Sequence, residues 1–575
     1  MERNPEERIQ SILKRKPYLQ IFYGAKSGGN FQVLPDGSVT QANGKAITSR
    51  MPALEAERLL PLDRQKWTGK EIILIQGLGN PILPGLLASS LRENQICIAL
   101  DHRFDLASAL VRGPLLSFLE RPGCHVFAGE EMLELFRTYL ESIPAENFRG
   151  VRRALHGSSM REDAAFYSHV EENARSVLRS KMSDLLTRFE FEKTWLKHIV
   201  TNSRHLPPDG SGGPASILSY KDCLKGTPGM LVGAGPSLRR SRELLHAAHG
   251  KSYILACDTA AKVLLRFGIE PDGVATLDAQ KHTIFHFLGA DLKKVTLFAD
   301  LVCNPLVFRH AEIGDVVFST TAKYITGHDG TINREATPGT EHAEAIFGPV
   351  GDVQSGGSVA TTGFEILRYL GCDPILLIGL DMAYTGGEIH STGTHHNEKW
   401  LTKISRTSTL EGINRAVFRK RHIVMSEAVN GGQVATDYVL GLYRTWFEDS
   451  IPKSGVRVIH LNPEGALIST AERLSDPLKY LQDLSVKKIP HLGSPLQSYR
   501  HDLNSSIYRD LWERKDEPEK FFELHPFARS LLRKAEVYVS RNRAKLGEER
   551  SEGVLAKARK DAIRLLLRAW RPYFE

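Results

Sequence analysis

The stretch MLVGAGPSL, residues 230–238, decides how the centre of the chain folds. An apolar run leads into a Gly-x-Gly turn, and a helical pattern follows to about residue 249. Gly233 and Gly235 permit a tight turn at this point. Pro236 sets φ near the helical value, and the hydroxyl of Ser237 can cap the helix. This order predicts the first βα unit of a doubly wound domain, with an anion site at the helix N-terminus.

Acidic or hydroxyl side chains follow the other strands predicted in this region. Apolar runs at 253–257, 271–277, 295–298, 316–318 and 375–378 each end near such a residue. The strand-end residues are Asp258 with Thr259 after it, Asp278, Asp300, Ser319 and Asp381. Because the carboxyl ends of parallel strands meet at one edge of a sheet, we expect a ligand site at that edge.

A second glycine turn, Ser355-Gly356-Gly357-Ser358, precedes a helix that runs to residue 369. Helix N-termini attract anions, so this turn is a second candidate cradle for an anionic group. A plain N-cap with flexible glycines is the alternative interpretation. Two such turns at one edge of a sheet favour a ligand with two anionic parts.

The loop after Asp381 has the composition expected of a catalytic loop. Its hydroxyl and imidazole side chains are those of Tyr384, Thr385, His390, Ser391, Thr392, Thr394, His395 and His396. The spacing of the histidines fits no helical metal motif, so one of them is predicted as a general base and no metal is predicted. GxSxG, P-loop, HExxH and aspartate-x-aspartate motifs are absent from the sequence, which argues against hydrolases, Walker-type enzymes and metal-dependent glycosyltransferases.

The N-terminal part has a similar start. An apolar run at 72–75 leads into a Gly-x-Gly turn at 77–79, and the next strand ends at Asp101. A lone Gly-x-Gly is common in α/β folds, so a structural turn is preferred over a nucleotide site in which Asp101 would reach a ribose. A linker rich in Pro, Gly and Ser follows at 203–216. The expected domains are an N-terminal α/β domain with a short β meander at 1–203, a central Rossmann-like α/β domain at 217–470, and a basic helical region at 471–575.

Composition describes an ordinary globular chain. The 575 residues are 41% hydrophobic and 25% charged, which excludes a disordered or disulfide-scaffold protein. Six scattered cysteines, with no signal-like N-terminus and no long apolar window, lead us to expect a cytoplasmic protein without integral membrane association.

Charge is concentrated at the C-terminal end. Residues 526–575 contain 13 Lys and Arg against 6 Asp and Glu, so they hold most of the net charge of +8. Such a segment can bind nucleic acid, an anionic membrane or an acidic protein, or it can be a solvated helical face. No nucleic-acid-binding motif in the sequence supports the first of these. Apolar residues from Leu555 to Trp570 share one helical stripe, for which docking on the protein itself is the preferred interpretation.

Several ordered motifs together resemble a known family. They are GAGPSL, LACDTAAKVLLRFGIEPDGVATLD, GGSVATTGFEILRYLGCDPILLIGLDMAYTGG and NPEGALI, with IFYGAKSGGNFQV and the GLGNP turn nearer the N-terminus. They are similar to the motility accessory factor (Maf) glycosyltransferases over about residues 20–470. That group has a domain similar to hydroxymethylpterin diphosphokinase, and its central domain is similar to bacterial sialyltransferases.

The resemblance implies a reaction. A nonulosonic acid of the pseudaminic or legionaminic type would pass from its CMP-sugar to Ser or Thr of flagellin, in the cytoplasm. The turns at 233–237 and 355–358 would hold the cytidine phosphate, and Tyr384 would donate to a phosphate oxygen. His390 would deprotonate the acceptor hydroxyl. CMP leaves as a stable anion, so no metal cofactor is required. The chain departs from sialyltransferases at Asp258, where they have asparagine, and this puts the nucleobase or ribose contact in question.

Two other functions stay open. A pterin diphosphokinase would use Asp258, Asp278 and Asp381 to hold Mg²⁺ for ATP. In a non-catalytic flagellin-binding factor, the nucleotide-binding edge of the sheet would be vestigial. Whether the protein is a glycosyltransferase or a binding factor, residues 480–575 are the candidate flagellin-binding region.

Overall fold

The structure is a computed structural model that describes residues 4–24, 30–62, 71–92, 95–143, 150–207, 213–326, 332–486, 489–498, 513–524, 532, 535–536, 539–540 and 546–570. Two compact units make up the chain: the first contains Met1–Glu190 and Tyr324–Glu335, and the second contains Phe191–Lys323 and Ala336–Glu575. The predicted linker at 203–216 and the predicted helical region from 471 both belong to the second unit.

The first unit contains a hairpin and a four-stranded parallel sheet. Its strands are β1 (Phe31–Val33), β2 (Val39–Gln41), β3 (Glu71–Gln76), β4 (Cys97–Asp101), β5 (Cys124–Ala128) and β6 (Gly150–Leu155). Its helices are α1 (Pro5–Arg15), α2 (Gln20–Gly24), α3 (Pro52–Leu59), α4 (Ile82–Ser90), α5 (Phe104–Val111), α6 (Leu116–Glu120), α7 (Leu133–Ser142), α8 (Gly157–Glu162) and the long α9 (Ala164–Asn202), which continues into the second unit. The strand order is β5-β4-β3-β6. Strands β3, β4 and β5 are buried along their whole length because helices cover both faces.

The second unit is built on a larger sheet. The strands numbered from this point of the chain are β7 (Gly229–Val232), β8 (Tyr253–Cys257), β9 (Gly273–Thr276), β10 (Asp291–Asp300), β11 (Glu312–Thr326), β12 (Ile332–Ala336), β13 (Asp352–Val353), β14 (Ile375–Ile378), β15 (Ile423–Glu427), β16 (Gln433–Asp437), β17 (Val458–His460) and β18 (Ser494–Pro495). All of them belong to the second unit except the last three residues of β11 and the first four of β12, which belong to the first. The helices of the second unit are α10 (Arg242–Ala248), α11 (Asp258–Arg266), α12 (Ile284–Phe287), α13 (Leu306–His310), α14 (Pro338–Phe347), α15 (Val359–Tyr369), α16 (His395–Leu401), α17 (Leu410–Phe418), α18 (Tyr438–Ser450), α19 (Pro477–Asp483), α20 (Pro518–Leu524) and α21 (Glu548–Trp570).

Strand order in this sheet reverses next to its first strand. The order β11-β10-β9-β8-β7-β14-β17 is parallel throughout, and β7 lies between β8 and β14. Alternate residues of a strand face opposite sides. Met230 and Val232 therefore enter one apolar core and Leu231 enters the other. The predicted doubly wound α/β class is confirmed, and the switch point lies at the carboxyl ends of β7 and β14.

The basic C-terminal helix packs on its own unit. Ala562, Ile563 and Leu566 of α21 are buried in the same core as Phe521 and Phe522 of α20. The preferred interpretation of this amphipathic stripe, docking within the protein, is confirmed for these residues. In the part of the chain that the structure describes, no helix has both the length and the apolar character needed to cross a membrane.

Candidate functional site

The glycine turn after β7 lies against the end of β14. The Gly233 N–H donates to the Ile378 carbonyl (2.9 Å), and the Gly235 N–H donates to the Gly379 carbonyl (2.8 Å). A β-carbon at Gly235 would overlap the carboxylate of Asp381, so only glycine allows this approach. The predicted turn is therefore present, and it needs its glycines because it packs closely against the residues that follow β14.

Asp381 anchors the start of the next helical turn. Its carboxylate accepts hydrogen bonds from the Ser237 N–H (2.9 Å) and the Ser237 hydroxyl (2.5 Å). These bonds hold the 3₁₀ turn Pro236–Arg240 at its N-terminal end. Burial raises the pKa of Asp381 above its ordinary value, and the hydrogen bonds from Ser237 oppose that shift. The carboxylate thus takes the place next to the helix N-terminus at which we expected a phosphate.

The predicted amide cradle at 233–237 needs a correction. The N–H groups of Gly233, Gly235 and Ser237 all donate within the chain, so they are not available to a phosphate in this structure. Pro236 has no N–H. The Ala234 N–H has no partner among the described residues, and it is the donor of this turn that can meet a ligand.

The second glycine turn is an N-cap. The hydroxyl of Ser358 accepts from the Thr361 N–H (3.2 Å), which completes a capping box. The Gly356 N–H donates to the Thr361 hydroxyl (2.9 Å), and the Gly357 N–H donates to the Ser355 hydroxyl (3.2 Å). The alternative interpretation of this turn, a structural cap, describes its hydrogen bonds better than an open anion cradle does.

Asp258 and Asp278 have different surroundings. Asp258 is buried and accepts from the hydroxyl of Thr276 (2.9 Å) and from both the N–H and the hydroxyl of Thr259 (2.6 and 3.0 Å). Burial raises the pKa of Asp258 to about 6. Asp278 is about one-third exposed, accepts from the Gln280 N–H (2.9 Å) and lies 3.6 Å from the ring of His282. Within the described ranges, no three carboxylate, imidazole or thiol groups are close enough together to hold a metal ion.

Tyr384 faces a partner that was not predicted from the sequence. Its hydroxyl donates to the carboxylate of Asp437 (2.5 Å), and its N–H donates to the Ala435 carbonyl (2.8 Å). Burial, the bond to Asp437 and the charge of Asp437 raise the pKa of Tyr384. The predicted donation to a phosphate is corrected accordingly, because the only proton on this hydroxyl is already given to Asp437. Asp437 had a local signal, since an aspartate before a helix is typical of an N-cap, and it caps α18.

Four histidine rings meet at this edge of the sheet. His390 stacks on His396 (ring centroids 4.6 Å apart), and His286 lies 5.4 Å from His396. His395 stacks on Phe285 (4.6 Å) and lies 6.1 Å from His286. His286 was not predicted from the sequence because it comes from α12, more than a hundred positions before the other rings. We call these four residues the histidine cluster.

Burial makes the histidine cluster hard to protonate. It lowers the pKa of His286 and of His390 to about 4 and that of His396 to about 3, and neighbouring imidazoles add to the effect. A hydrogen bond with the backbone of Ala234 partly opposes the shift at His390. The Ser391 N–H also donates to the Ala234 carbonyl (2.8 Å). The cluster is therefore neutral at neutral pH, and His390 lies beside the turn after β7.

Comparison with known proteins identifies the fold. A solved structure of a Maf glycosyltransferase from Magnetospirillum magneticum AMB-1 superposes with a TM-score of 0.53, covering 99% of this chain and 96% of that one at 16% identity. The chain has the fold of a Maf glycosyltransferase. Residues 214–387 match the family model of the 6-hydroxymethylpterin diphosphokinase MptE-like domain. The resemblance to the Maf glycosyltransferases is thereby confirmed at the level of fold, and the resemblance to hydroxymethylpterin diphosphokinase is confirmed for residues 214–387.

Two proteins of Treponema pallidum (strain Nichols), both described as uncharacterized, are also similar. One is 25% identical over 282 residues, covering 45% of this chain and 44% of the relative. The other is 24% identical over 220 residues, covering 35% of this chain and 55% of the relative. The chain therefore matches about half the length of these curated relatives.

Proposed function

We propose that this protein is a glycosyltransferase that moves a nonulosonic acid of the pseudaminic or legionaminic type from its CMP-sugar to a Ser or Thr hydroxyl of flagellin, without a metal cofactor, in the cytoplasm. The observation that supports this proposal most is the fold, which matches that of a Maf glycosyltransferase along nearly the whole chain. The location of the histidine cluster, at the carboxyl edge where open α/β sheets bind ligands, adds support.

The chemistry needs a base, and His390 is our candidate. Its neutral ring would take the proton of the acceptor hydroxyl while that oxygen bonds to the anomeric carbon of the sugar. The bond from the anomeric carbon to the CMP phosphate breaks, and its electron pair leaves with CMP. A pKa of about 4 makes the free imidazole a weak base. The negative phosphate of a bound donor would raise that pKa, because an opposite charge nearby favours the protonated ring.

Binding of the donor would rely on groups other than those first expected. The Ala234 N–H, the partly exposed residues Asp278 and Ser355, and His395 or His396 are the candidates at this edge. The buried residues Asp258 and Asp381 would act as supports, since their carboxylates are already engaged by Thr276, Thr259 and Ser237.

A pterin diphosphokinase is the second candidate function, and the match of residues 214–387 to the MptE-like model favours it. That reaction would need carboxylates for Mg²⁺ and ATP. Of the three aspartates considered, Asp278 is the one with a partly exposed carboxylate, which makes this function the less favoured.

Calorimetric titration with CMP and, separately, with ATP plus Mg²⁺ tests the proposal. We expect CMP to bind without metal. We also expect Ser355→Tyr to weaken CMP binding, whereas Ser89→Tyr, at an exposed position of the first unit, leaves it unchanged. Binding of ATP with Mg²⁺ alone would favour the diphosphokinase, and no binding of either would favour a flagellin-binding factor.

A further inference from the structure

The hairpin of β15 and β16 has an edge with unpaired backbone groups. Val424 and Ser426 face Thr436 and Val434 of β16 in register. Beyond the end of β15, the Glu427 carbonyl accepts from the Leu467 N–H and the Val429 N–H donates to the Gly465 carbonyl, both at 2.9 Å. Glu427 and Val429 therefore point their backbone groups away from β16.

Backbone groups alternate in direction along an antiparallel strand, so Ile423 and Met425 point the same way as Glu427. Neither residue has a backbone partner on that side within the described ranges. The backbone groups on the outer edge of β15 are thus paired from Glu427 onward and unpaired before it. An extended chain can add there as a third strand, with main-chain hydrogen bonds to Ile423 and Met425.

Two neighbouring side chains along this edge are apolar and exposed. Val424 is 42% exposed and Met425 is 59% exposed. Natural proteins usually protect edge strands with charges, proline or a covering segment, so an open apolar edge is typical of a binding surface. We call residues 423–426 the open edge.

Cations come directly before the open edge. Arg419 and Lys420 are exposed and have no carboxylate partner in the part of the chain that the structure describes, and Arg421 lies 4.0 Å from Asp437. A segment that adds to the open edge passes these positive charges. Acidic residues in that segment would be attracted to them, since unpaired exposed charges favour an oppositely charged partner.

The hairpin is bonded to the loop that leads to His390. The Thr436 hydroxyl donates to the Met382 carbonyl (2.7 Å), and the Tyr384 N–H donates to the Ala435 carbonyl (2.8 Å). The bond from the Tyr384 hydroxyl to Asp437 gives a third attachment. Neighbouring strands lie about 4.8 Å apart, so an added strand would be held at a set distance from this loop.

We propose that the open edge receives an extended, acidic polypeptide segment as a third strand, and that this segment belongs to the protein acceptor. Its role as acceptor rests on the proposed function. The binding itself does not, because it uses only β15 and the preceding cations.

Fluorescence anisotropy of the full chain with a labelled synthetic peptide tests this. The peptide alternates Val and Thr and has Asp residues at one end. Met425→Pro removes an N–H that points away from β16, so we expect it to weaken binding about tenfold, whereas Met425→Ala keeps the N–H and weakens it less. The double change of Arg419→Glu and Lys420→Glu should also weaken binding and reduce its dependence on salt.

A peptide with N-methyl groups on alternate residues provides a test that leaves the protein unchanged, in case Met425→Pro unfolds. Equal binding of the methylated and unmodified peptides would overturn the proposal. So would a dimer of the free chain that Met425→Pro dissociates, because a second copy would then occupy the edge. CMP titration of each variant separates the two proposals. A variant that loses peptide binding but still binds CMP supports the open edge as the peptide site. A wild-type chain that binds the peptide but not CMP contradicts the proposed function and leaves the open edge supported.

Discussion

The carboxyl edges of the two parallel sheets resemble each other in their glycine turns and differ in their loops. In the first unit, the buried carboxylate of Asp101 accepts from the Leu78 N–H (2.6 Å) and from Arg103 (2.8 Å), and a β-carbon at Gly79 would overlap His156. In the second unit, Asp381 holds Ser237 in the same manner. Both units therefore use a strand-end aspartate to hold a glycine turn. The second unit alone, among the described residues, adds a long loop with partly exposed histidines, so the loop and not the turn distinguishes the candidate site.

The largest expected effect is on transfer. His390→Ala removes the proposed base, and we expect the rate of sugar transfer to fall by about a hundredfold or more. His102→Ala changes a histidine at the corresponding edge of the first unit and should leave transfer unchanged. Transfer is measured by mass spectrometry of flagellin incubated with the CMP-sugar.

CMP affinity and the thermal unfolding temperature of both variants serve as controls for folding. If His390→Ala transfers sugar at the wild-type rate, His390 is not the base. The same measurement on His395→Ala and His396→Ala would then show whether a neighbouring ring is the base.

The next effect concerns the two aspartates that hold the glycine turns. Asp101→Ala leaves Arg103 without its nearest carboxylate and should lower the free energy of unfolding by about 3 kcal/mol. Asp381→Ala leaves the Ser237 N–H unpaired and should cost about 2 kcal/mol. Denaturant unfolding measures both. A loss below about 0.5 kcal/mol for either one would mean that its carboxylate does not hold the turn.

A smaller effect is expected at Tyr384. Tyr384→Phe removes the hydrogen bond to Asp437 and should lower the free energy of unfolding by about 1 kcal/mol. Because the hydroxyl proton is given to Asp437, we expect CMP affinity to stay the same. A large loss of CMP affinity with unchanged stability would restore the phosphate-donor role predicted from the sequence.

The last prediction concerns the pH dependence of stability. The pKa of His286, His390 and His460 is lowered to about 4, so the unfolded chain binds their protons first as the pH falls. Their contribution to the free energy of unfolding is present above about pH 6.5 and is lost as the pH falls toward about 4. Asp258 and Asp300, each with a pKa raised to about 6, act in the opposite sense.

The histidines outnumber these two aspartates, so the unfolding temperature should fall between about pH 6.5 and about pH 4.5. His286→Gln should make that fall shallower, while a change at the exposed residue His422 should not alter it. A flat profile for the wild type would contradict the burial of the histidine cluster.

Much of the sheet could be predicted because its signals are local. The apolar runs at 253–257 and 375–378 have the same bounds as β8 and β14, since each is ended by a turn residue or a helix start. The hairpin of β15 and β16 was not predicted. Its first strand, IVMSE, does not alternate regularly and comes after a run of cations, so it has no clear strand pattern.

By itself, the amino-acid sequence determined the doubly wound class, the two Gly-x-Gly turns and the loop with its histidines, because runs of apolar residues and glycines act on their immediate neighbours. Only the tertiary structure decided which polar groups are already engaged. Ser237 and Asp381 are 144 positions apart, and Tyr384 and Asp437 are 53 apart. A hydrogen bond depends on distance and direction in space, so partners this far apart in sequence leave no local signal.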